Sequence, residues 1–354
     1  MRRVAQALHR YLPVPSDIRY ISSSPPAILR YRLPAAAIHT LYVLRTRRYL
    51  QRLAVQLPPC EVLHLMDHSE SFLLPATRAH LKVVTCHDLI PLVEERLYRH
   101  PLSRLLGRWL YRIAVQDIIC ADGIVACSQA TLQDALCSLN ITPKRLKVVY
   151  NGVDTHFFAP LSEEARCRWR QALGFSLREL VILHVGSNAP HKNIPAVLRT
   201  VADLRHSGHQ VRWVKVGQPL SAPLQRLAQQ LGIADCIRTE ASIEDTRLLR
   251  LYQTCDVLLF PSVREGFGLP VLEALACGTP AVIADTPALN EWANEVCLSA
   301  PPDDARTLAE KVLHSVEESR FFDYRARLRE FAMQYSWQET AKQLVQAYRE
   351  WGAS

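Results

Sequence analysis

Two glutamates eight positions apart, Glu265 and Glu273, lie in the chemically richest stretch of the chain, Val257–Pro280 (VLLFPSVREGFGLPVLEALACGTP). An ionised carboxylate only accepts hydrogen bonds, so a pair beside one ligand calls for hydroxyl donors such as those of a sugar or ribose, each charge-assisted bond being worth roughly 1.5–3 kcal/mol. Val257–Phe260 reads as a buried strand and Pro261–Gly268 as a turn-rich loop. A helix follows over Pro270–Cys277, with Pro270 at its first position, Glu273 in its first turn and Gly278 just past its end. The first N–H groups of a helix lack internal partners and attract phosphate oxygens. Gly266 and Gly268 allow close approach of the backbone to a ligand. Phosphate at the helix end and hydroxyls at the carboxylates together describe a nucleotide sugar. The plainer alternative, for these residues alone, is that Glu273 complements the helix dipole and Glu265 is a solvated loop residue.

Two further positions have the right placement for such a site. Lys192 closes the loop Gly186–Asn193 between a strand predicted over Leu180–Val185 and a helix ending near His206, where a compact cation suits a diphosphate. His87 and Asp88 follow the strand Leu81–Cys86, and ligands of open parallel sheets bind beyond the carboxyl ends of the strands. His64 and His68, near the end of the strand Val62–Met66, have a similar setting, so placement alone does not single out His87.

The elements that carry these residues alternate as short apolar strands and amphipathic helices, which predicts parallel sheets. The first credible strand is Asp17–Ser22, followed by a basic helix over Ala35–Val55. A basic amphipathic helix is expected over Pro101–Ile119, packing its apolar side into the core with a solvated basic side, contact with a membrane surface through its arginines and Trp109 being the alternative. A strand is expected over Gly123–Cys127. Arg166–Leu173 reads as a linker helix. Beyond it, Val211–Val216, Cys236–Arg238 and Ala281–Ile283 are the remaining strands, and the last helices span Asp303–Val316 and Ser336–Trp351. A chain of 354 residues is long enough for two cores.

Composition narrows the setting. Hydrophobic residues make up 49% and charged residues 21%, as in an ordinary globular protein, and no run of about 18 apolar residues occurs. The opening MRRVAQALHRYLP does not read as a signal peptide. Ten cysteines without a C-x-x-C pair suggest buried thiols, such as Cys86, Cys120, Cys255 and Cys277, in a reducing cytoplasm. Residues 1–150 carry 20 Lys and Arg against 10 Asp and Glu, whereas the rest carries 22 against 24. Between Ile18 and Cys60 there are seven arginines and no acid. This half suits an anionic membrane surface, with a solvated basic face as the alternative; no nucleic-acid recognition module accompanies it, so nucleic acid is not an expected partner.

The segment EGFGLPVLEALACGTP resembles, nearly residue for residue, the E-x7-E signature of the retaining glycosyltransferases of family 4, which have the GT-B fold. VVTCHDLIPL, ADGIVACSQATLQDAL, KVVYNGVDTHFF and YSWQETAKQLVQAYREW are similar to other segments of that family. The resemblance implies an α/β GT-B architecture of two Rossmann-like domains facing across a cleft. Residues 1–160 would form the acceptor-side domain, 161–335 the nucleotide-sugar domain, and 336–354 a helix returning to the first. It implies that Glu265 approaches the donor sugar, that Glu273 holds the ribose, and that Gly266, Phe267, Gly268 and Leu269 lie along the sugar and diphosphate. Gly186, Asn188 and Lys192 would complete the donor site, and His87 would reach the reacting centre.

Two departures from the family stand out. Family members begin with a strand and a glycine-rich loop, and nothing here matches either; the expectation is that residue 1 lies downstream of that strand, whose loss would leave a gap in the middle of the sheet, a rebuilt or defective N-terminal domain being the alternative. Ser187 stands near a position where many relatives have an arginine, so either Arg264 supplies the second positive charge or the site uses fewer. The implied reaction moves a hexose, mannose among the candidates, from a nucleotide-diphosphate sugar to a hydroxyl of a glycan or glycolipid, with retention and without a bound metal or cofactor. The setting would be polysaccharide or lipopolysaccharide synthesis, in the cytoplasm or peripherally on the inner face of the membrane. A non-catalytic GT-B-like binding protein and a nucleotide-sugar epimerase are the alternatives.

Overall fold

The structure, a computed structural model, describes residues 2–13, 47–98, 100–139, 141, 145–241, 243–321 and 323–353; the strand expected over Asp17–Ser22 and the start of the helix expected over Ala35–Val55 lie outside them. The chain divides into two compact units. One comprises Met1–Val93, His100–Tyr150 and Thr340–Ser354, and the other Glu94–Arg99 and Asn151–Glu339. The main boundary thus falls at Tyr150, ahead of the expected residue 160.

Among the described residues the first unit holds four parallel strands, β1 (Cys60–Leu65), β2 (Ala79–Cys86), β3 (Gly123–Ala126) and β4 (Leu146–Val148), paired in the order β1-β2-β3-β4. Leu74, Val84, Cys86, Leu89, Ile118 and Ile124 form its core. The gap expected in mid-sheet is absent among the described residues. Among the described residues every connection steps the same way, with β1 at one end of the sheet. The closing helix is fastened here by its aromatic residues. Tyr348 Oη lies 2.6 Å from His64 Nδ1, and His64 Nε2 lies 2.7 Å from Thr85 Oγ1. Trp351 fills the space that a side chain on Gly123 would need.

The basic helix spans Pro101–Val115 and continues as a 3-10 turn over Gln116–Cys120. Its expected orientation is wrong. Val115 is its one buried residue, while Leu102, Leu105, Leu106, Trp109 and Leu110 are exposed. The sequence could not reveal this, because a periodic apolar stripe looks the same whether it faces the core or the outside. Cys120 is likewise exposed, not buried, whereas Cys86, Cys255 and Cys277 are buried as expected.

The second unit is a six-stranded parallel sheet. Its strands are β5 (Leu180–Val185), β6 (Val211–Val216), β7 (Ile237–Glu240), β8 (Val257–Phe260), β9 (Ala281–Ala284) and β10 (Leu298–Ala300). Their order is β10-β9-β8-β5-β6-β7, so the chain winds outward from β5 to β7 and then returns to the other side of β5 through β8. The loops after β5 and β8 therefore meet where the winding reverses, the place at which such sheets bind ligands. Fully buried Ile182, Val197, Trp213, Val257, Leu259 and Val312 belong to the core beneath. Short β10 and the helix Tyr324–Met333 were not anticipated.

Candidate functional site

At this reversal the two loops are stitched together. The Val263 N–H donates to the His191 carbonyl at 2.8 Å, and Lys192 Nζ donates to Glu265 Oε1 at 2.6 Å. Residues 73 apart in sequence thus place one cation and one carboxylate side by side, both largely buried. Lys192 Nζ also sits 5.1 Å from the centre of the Phe260 ring. Arg264 is half-buried and adjoins Glu265 in the same loop. Ser187 cannot replace a cation: its Oγ accepts from the Ala189 N–H at 3.3 Å, closing a local turn.

The helix after β8 spans Leu269–Ala276, with Gly268 as its N-cap at φ 97°. It starts one residue before the predicted position, which moves Glu273 out of the first turn and into a buried second turn. There the Tyr252 hydroxyl donates to Glu273 Oε2 at 2.8 Å, so the carboxylate is oriented by a bond from the neighbouring helix Asp245–Thr254. This is more than complementing the helix dipole. A buried carboxylate needs such donors to stay ionised. The Phe267 ring stacks on Trp292 with centroids 4.8 Å apart, and Trp292 Nε1 donates to the Phe267 carbonyl at 2.9 Å. Phe267 is thereby fixed from both its ring and its backbone, and the buried Gly266-Phe267-Gly268 segment leads directly into the helix N-terminus at Leu269.

Beneath the loop after β5 lies a second layer that sequence reading missed. Lys215 is fully buried, and its Nζ donates to the carbonyls of Gly186 at 3.1 Å and Gln218 at 2.5 Å. Burial lowers its pKa to about 8. His184 Nδ1 donates to the Leu259 carbonyl at 3.0 Å, which leaves Nε2 as a lone-pair acceptor under Gly186. Burial first, opposed by that backbone bond and helped by nearby Lys215 and Lys192, lowers its pKa to about 3. A side chain at Gly186 would press on His184 Nε2 at 3.3 Å. Asn188 turns toward the loop after β6: its Nδ2 donates to the Pro219 carbonyl at 2.5 Å, and its own N–H donates to Gln218 Oε1 at 3.2 Å. The only sequence signal for Lys215 was a second charged residue, after Arg212, in the strand VRWVKV. Tyr252 gave none.

His87 belongs to the other unit, directly after β2. Its Nε2 donates to the Met66 carbonyl at 2.8 Å, and its own carbonyl accepts from Cys127 Sγ at 2.9 Å. A carbonyl can only accept, so the proton is on Nε2 and Nδ1 is an acceptor. Burial, partly opposed by the Met66 bond, lowers the His87 pKa to about 4. The imidazole is neutral near pH 7. The competing histidines are engaged elsewhere, His64 with Tyr348 and Thr85, and His68 Nε2 with the Tyr111 hydroxyl at 2.7 Å. Among the described residues no group of three His, Cys, Asp or Glu is placed to hold a metal ion.

Two parallel-sheet Rossmann-like units, one with a cation, two carboxylates and a helix N-terminus near its reversal point, define an open-sheet α/β protein with a polar site at that point. Residues 166–335 match the family model described as Glycosyl transferases group 1, and residues 24–157 match Glycosyltransferase Family 4. The chain belongs to the family-4 glycosyltransferases. It is 30% identical to an MMP alpha-(1->4)-mannosyltransferase of Mycolicibacterium hassiacum, over 78% of this chain and 65% of that protein. It is 33% identical to a D-inositol 3-phosphate glycosyltransferase of Corynebacterium jeikeium, over 71% of this chain and 61% of the relative. The chain therefore spans less than two thirds of the length of these relatives. Sucrose-phosphate synthase from Thermosynechococcus elongatus has the same fold at a TM-score of 0.72 and 18% identity, with 99% of this chain and 92% of that one covered. Anabaena HepE, solved in complex with UDP-glucose, superposes at 0.71 with 20% identity and 89% coverage of both chains.

Proposed function

We propose that this protein transfers a hexose from a nucleoside-diphosphate sugar to a hydroxyl of a glycan or glycolipid acceptor, with retention, in the synthesis of a cell-surface glycan. The observation that carries this reading is the 2.6 Å pairing of Lys192 with Glu265 at the mouth of the loops after β5 and β8. A sugar diphosphate presents its anion and its hydroxyls next to one another, and this pair offers the complementary groups side by side. Lys192, the N–H groups at Leu269 and Arg264 are assigned to the diphosphate. Glu265 accepts from sugar hydroxyls, and Glu273, held by Tyr252, accepts from the ribose.

In the transfer, the bond from the anomeric carbon to the phosphate oxygen breaks and a bond to the acceptor oxygen forms. The acceptor proton passes to a phosphate oxygen of the departing diphosphate, whose developing charge Lys192 and the helix end stabilise. His87, neutral and with Nδ1 as acceptor, receives a hydrogen bond from a substrate hydroxyl. The donor is a co-substrate, and no metal or other cofactor is assigned a role. Mannose is the favoured sugar because the relatives in Mycolicibacterium and, at 28% identity, Escherichia coli are named mannosyltransferases. No helix among the described residues is long and apolar enough to cross a membrane. We place the protein in the cytoplasm, peripherally on the inner membrane surface, because a glycolipid acceptor is presented there and residues 1–150 are basic.

The test is thermal stabilisation of the 354-residue chain by GDP-mannose, UDP-glucose and UDP-N-acetylglucosamine, with Glu273→Ala as control. One nucleotide class should raise Tm, the variant should lose that shift, and the active donor should then label an isolated lipid-linked glycan. Binding without transfer would favour a non-catalytic protein. An altered sugar nucleotide formed without acceptor would favour an epimerase.

A further inference from the structure

The helix Pro101–Val115 carries its apolar residues on the wrong side for a protein surrounded by water. Leu102, Leu105, Leu106, Trp109 and Leu110, at the i, i+3, i+4, i+7, i+8 spacing of one helical face, are 81%, 65%, 57%, 58% and 42% exposed. Toward its own unit the helix turns Val115 and otherwise mainly small and polar groups. Gly107 lies there, the Tyr111 hydroxyl meets His68 Nε2 at 2.7 Å, and Arg108 Nη2 donates to the Val93 carbonyl at 3.5 Å. A globular surface helix has the reverse arrangement. Single exposed leucines need no explanation, but a contiguous stripe with a tryptophan at its centre marks a surface that is covered when the protein works.

Charge decides what covers it. Arg112 is exposed beside the stripe, and the helix has no acidic residue. The helix over residues 47–55, whose Arg47 donates to the Ile113 carbonyl at 3.4 Å, adds exposed Arg48 and Arg52. A second copy would bring the same arginines against these and repel them. Residues 14–46, with four arginines and one aspartate, are no better matched. An occupant that is apolar below and anionic above satisfies both the stripe and these arginines, since arginine stems lie along apolar surface while their heads stay with phosphates.

We propose that Pro101–Val115 is an interfacial helix that docks this protein on an anionic phospholipid surface. It lies in the plane with Leu102, Leu105, Leu106, Trp109 and Leu110 among the acyl chains and the arginines at the headgroups. At about 22 Å its length suits an in-plane helix and is too short to span a bilayer. The inference rests on the proposed glycolipid acceptor for its purpose, but not for its evidence.

Flotation of the full chain with vesicles tests it. Vesicles of about one-third phosphatidylglycerol in phosphatidylcholine should carry the protein, and neutral vesicles should carry much less. Leu106→Ser with Trp109→Ser should reduce partitioning about tenfold or more, Arg112→Gln a few-fold and on anionic vesicles alone. Tryptophan emission should shift to the blue on anionic vesicles, and Trp109→Phe should remove the shift. The donor-induced rise in Tm should persist in all three variants, so that a failure of docking and a failure of the donor reading are told apart. Equal partitioning of the double variant and the unchanged chain would overturn the proposal. A dimer that the double variant converts to monomer, without any vesicle effect, would overturn it in favour of a second copy. A lower Tm of the double variant without a vesicle effect would overturn it in favour of the chain's own residues covering the stripe.

Discussion

Tyr252 and Glu273 show how the site works at the scale of single side chains. A buried carboxylate that is to accept from a ribose has to be aimed, and the Tyr252 hydroxyl holds it with a 2.8 Å hydrogen bond. Tyr252→Phe removes one charge-assisted bond and little volume, so affinity for the nucleotide sugar should fall about tenfold while Tm without donor changes little. Calorimetric titration measures it; unchanged affinity would mean that the helix alone orients Glu273. His87 leads to a different kind of expectation. With a pKa of about 4 it stays neutral through the working range, so turnover should show no His87 limb near pH 6.5. His87→Gln should lower kcat about tenfold and leave donor binding intact. An acid limb near pH 6.5 that disappears in His87→Gln would place a protonated histidine in the mechanism instead.

At the scale of elements, the strand-loop-helix unit from β8 onward was legible because its punctuation is local: an apolar run, two glycines, a proline and a closing glycine. The loop from Gly186 to Asn193 was legible for the same reason. Lys215, His184 and Tyr252 were not, because their roles depend on which strands become neighbours, and a charged or aromatic residue in an apolar run carries no label for its partner. The Pro101–Val115 helix shows the same limit from the other side: periodicity locates a face without saying what lies against it. Gly268 tests the local part. Its φ of 97° is a left-handed conformation, and a side chain there would meet Leu289 Cδ2. Gly268→Ala should destabilise its unit by about 1–3 kcal/mol and weaken donor binding by displacing the helix N-terminus. Denaturant unfolding and donor titration measure the two effects, and a change below about 0.5 kcal/mol would show that the loop relaxes without strain.

Across the whole molecule, the division into two parallel-sheet units followed from chain length and strand alternation. The position of any missing strand did not, since sheet order is set by crossovers that no local motif records. Each unit buries a histidine that stays neutral: His64 in the first, its pKa lowered to about 3 by burial and by His87, and His184 in the second, also at about 3. An unfolded histidine takes up a proton near pH 6.5, so on acidification the unfolded chain binds it first while the folded chain refuses it down to about pH 3. Stability from this source is complete above pH 6.5 and falls as pH drops toward 3, by about 1.4 kcal/mol per pH unit for each histidine. His64→Gln should therefore lower stability at pH 7 yet flatten the acid limb by about that slope between roughly pH 6 and 4. His184→Gln should do the same through the other unit. Denaturant unfolding across that range measures it. An acid limb as steep in both variants as in the unchanged chain would assign acid loss of structure to the carboxylates, with these two histidines binding protons equally in the folded and unfolded states.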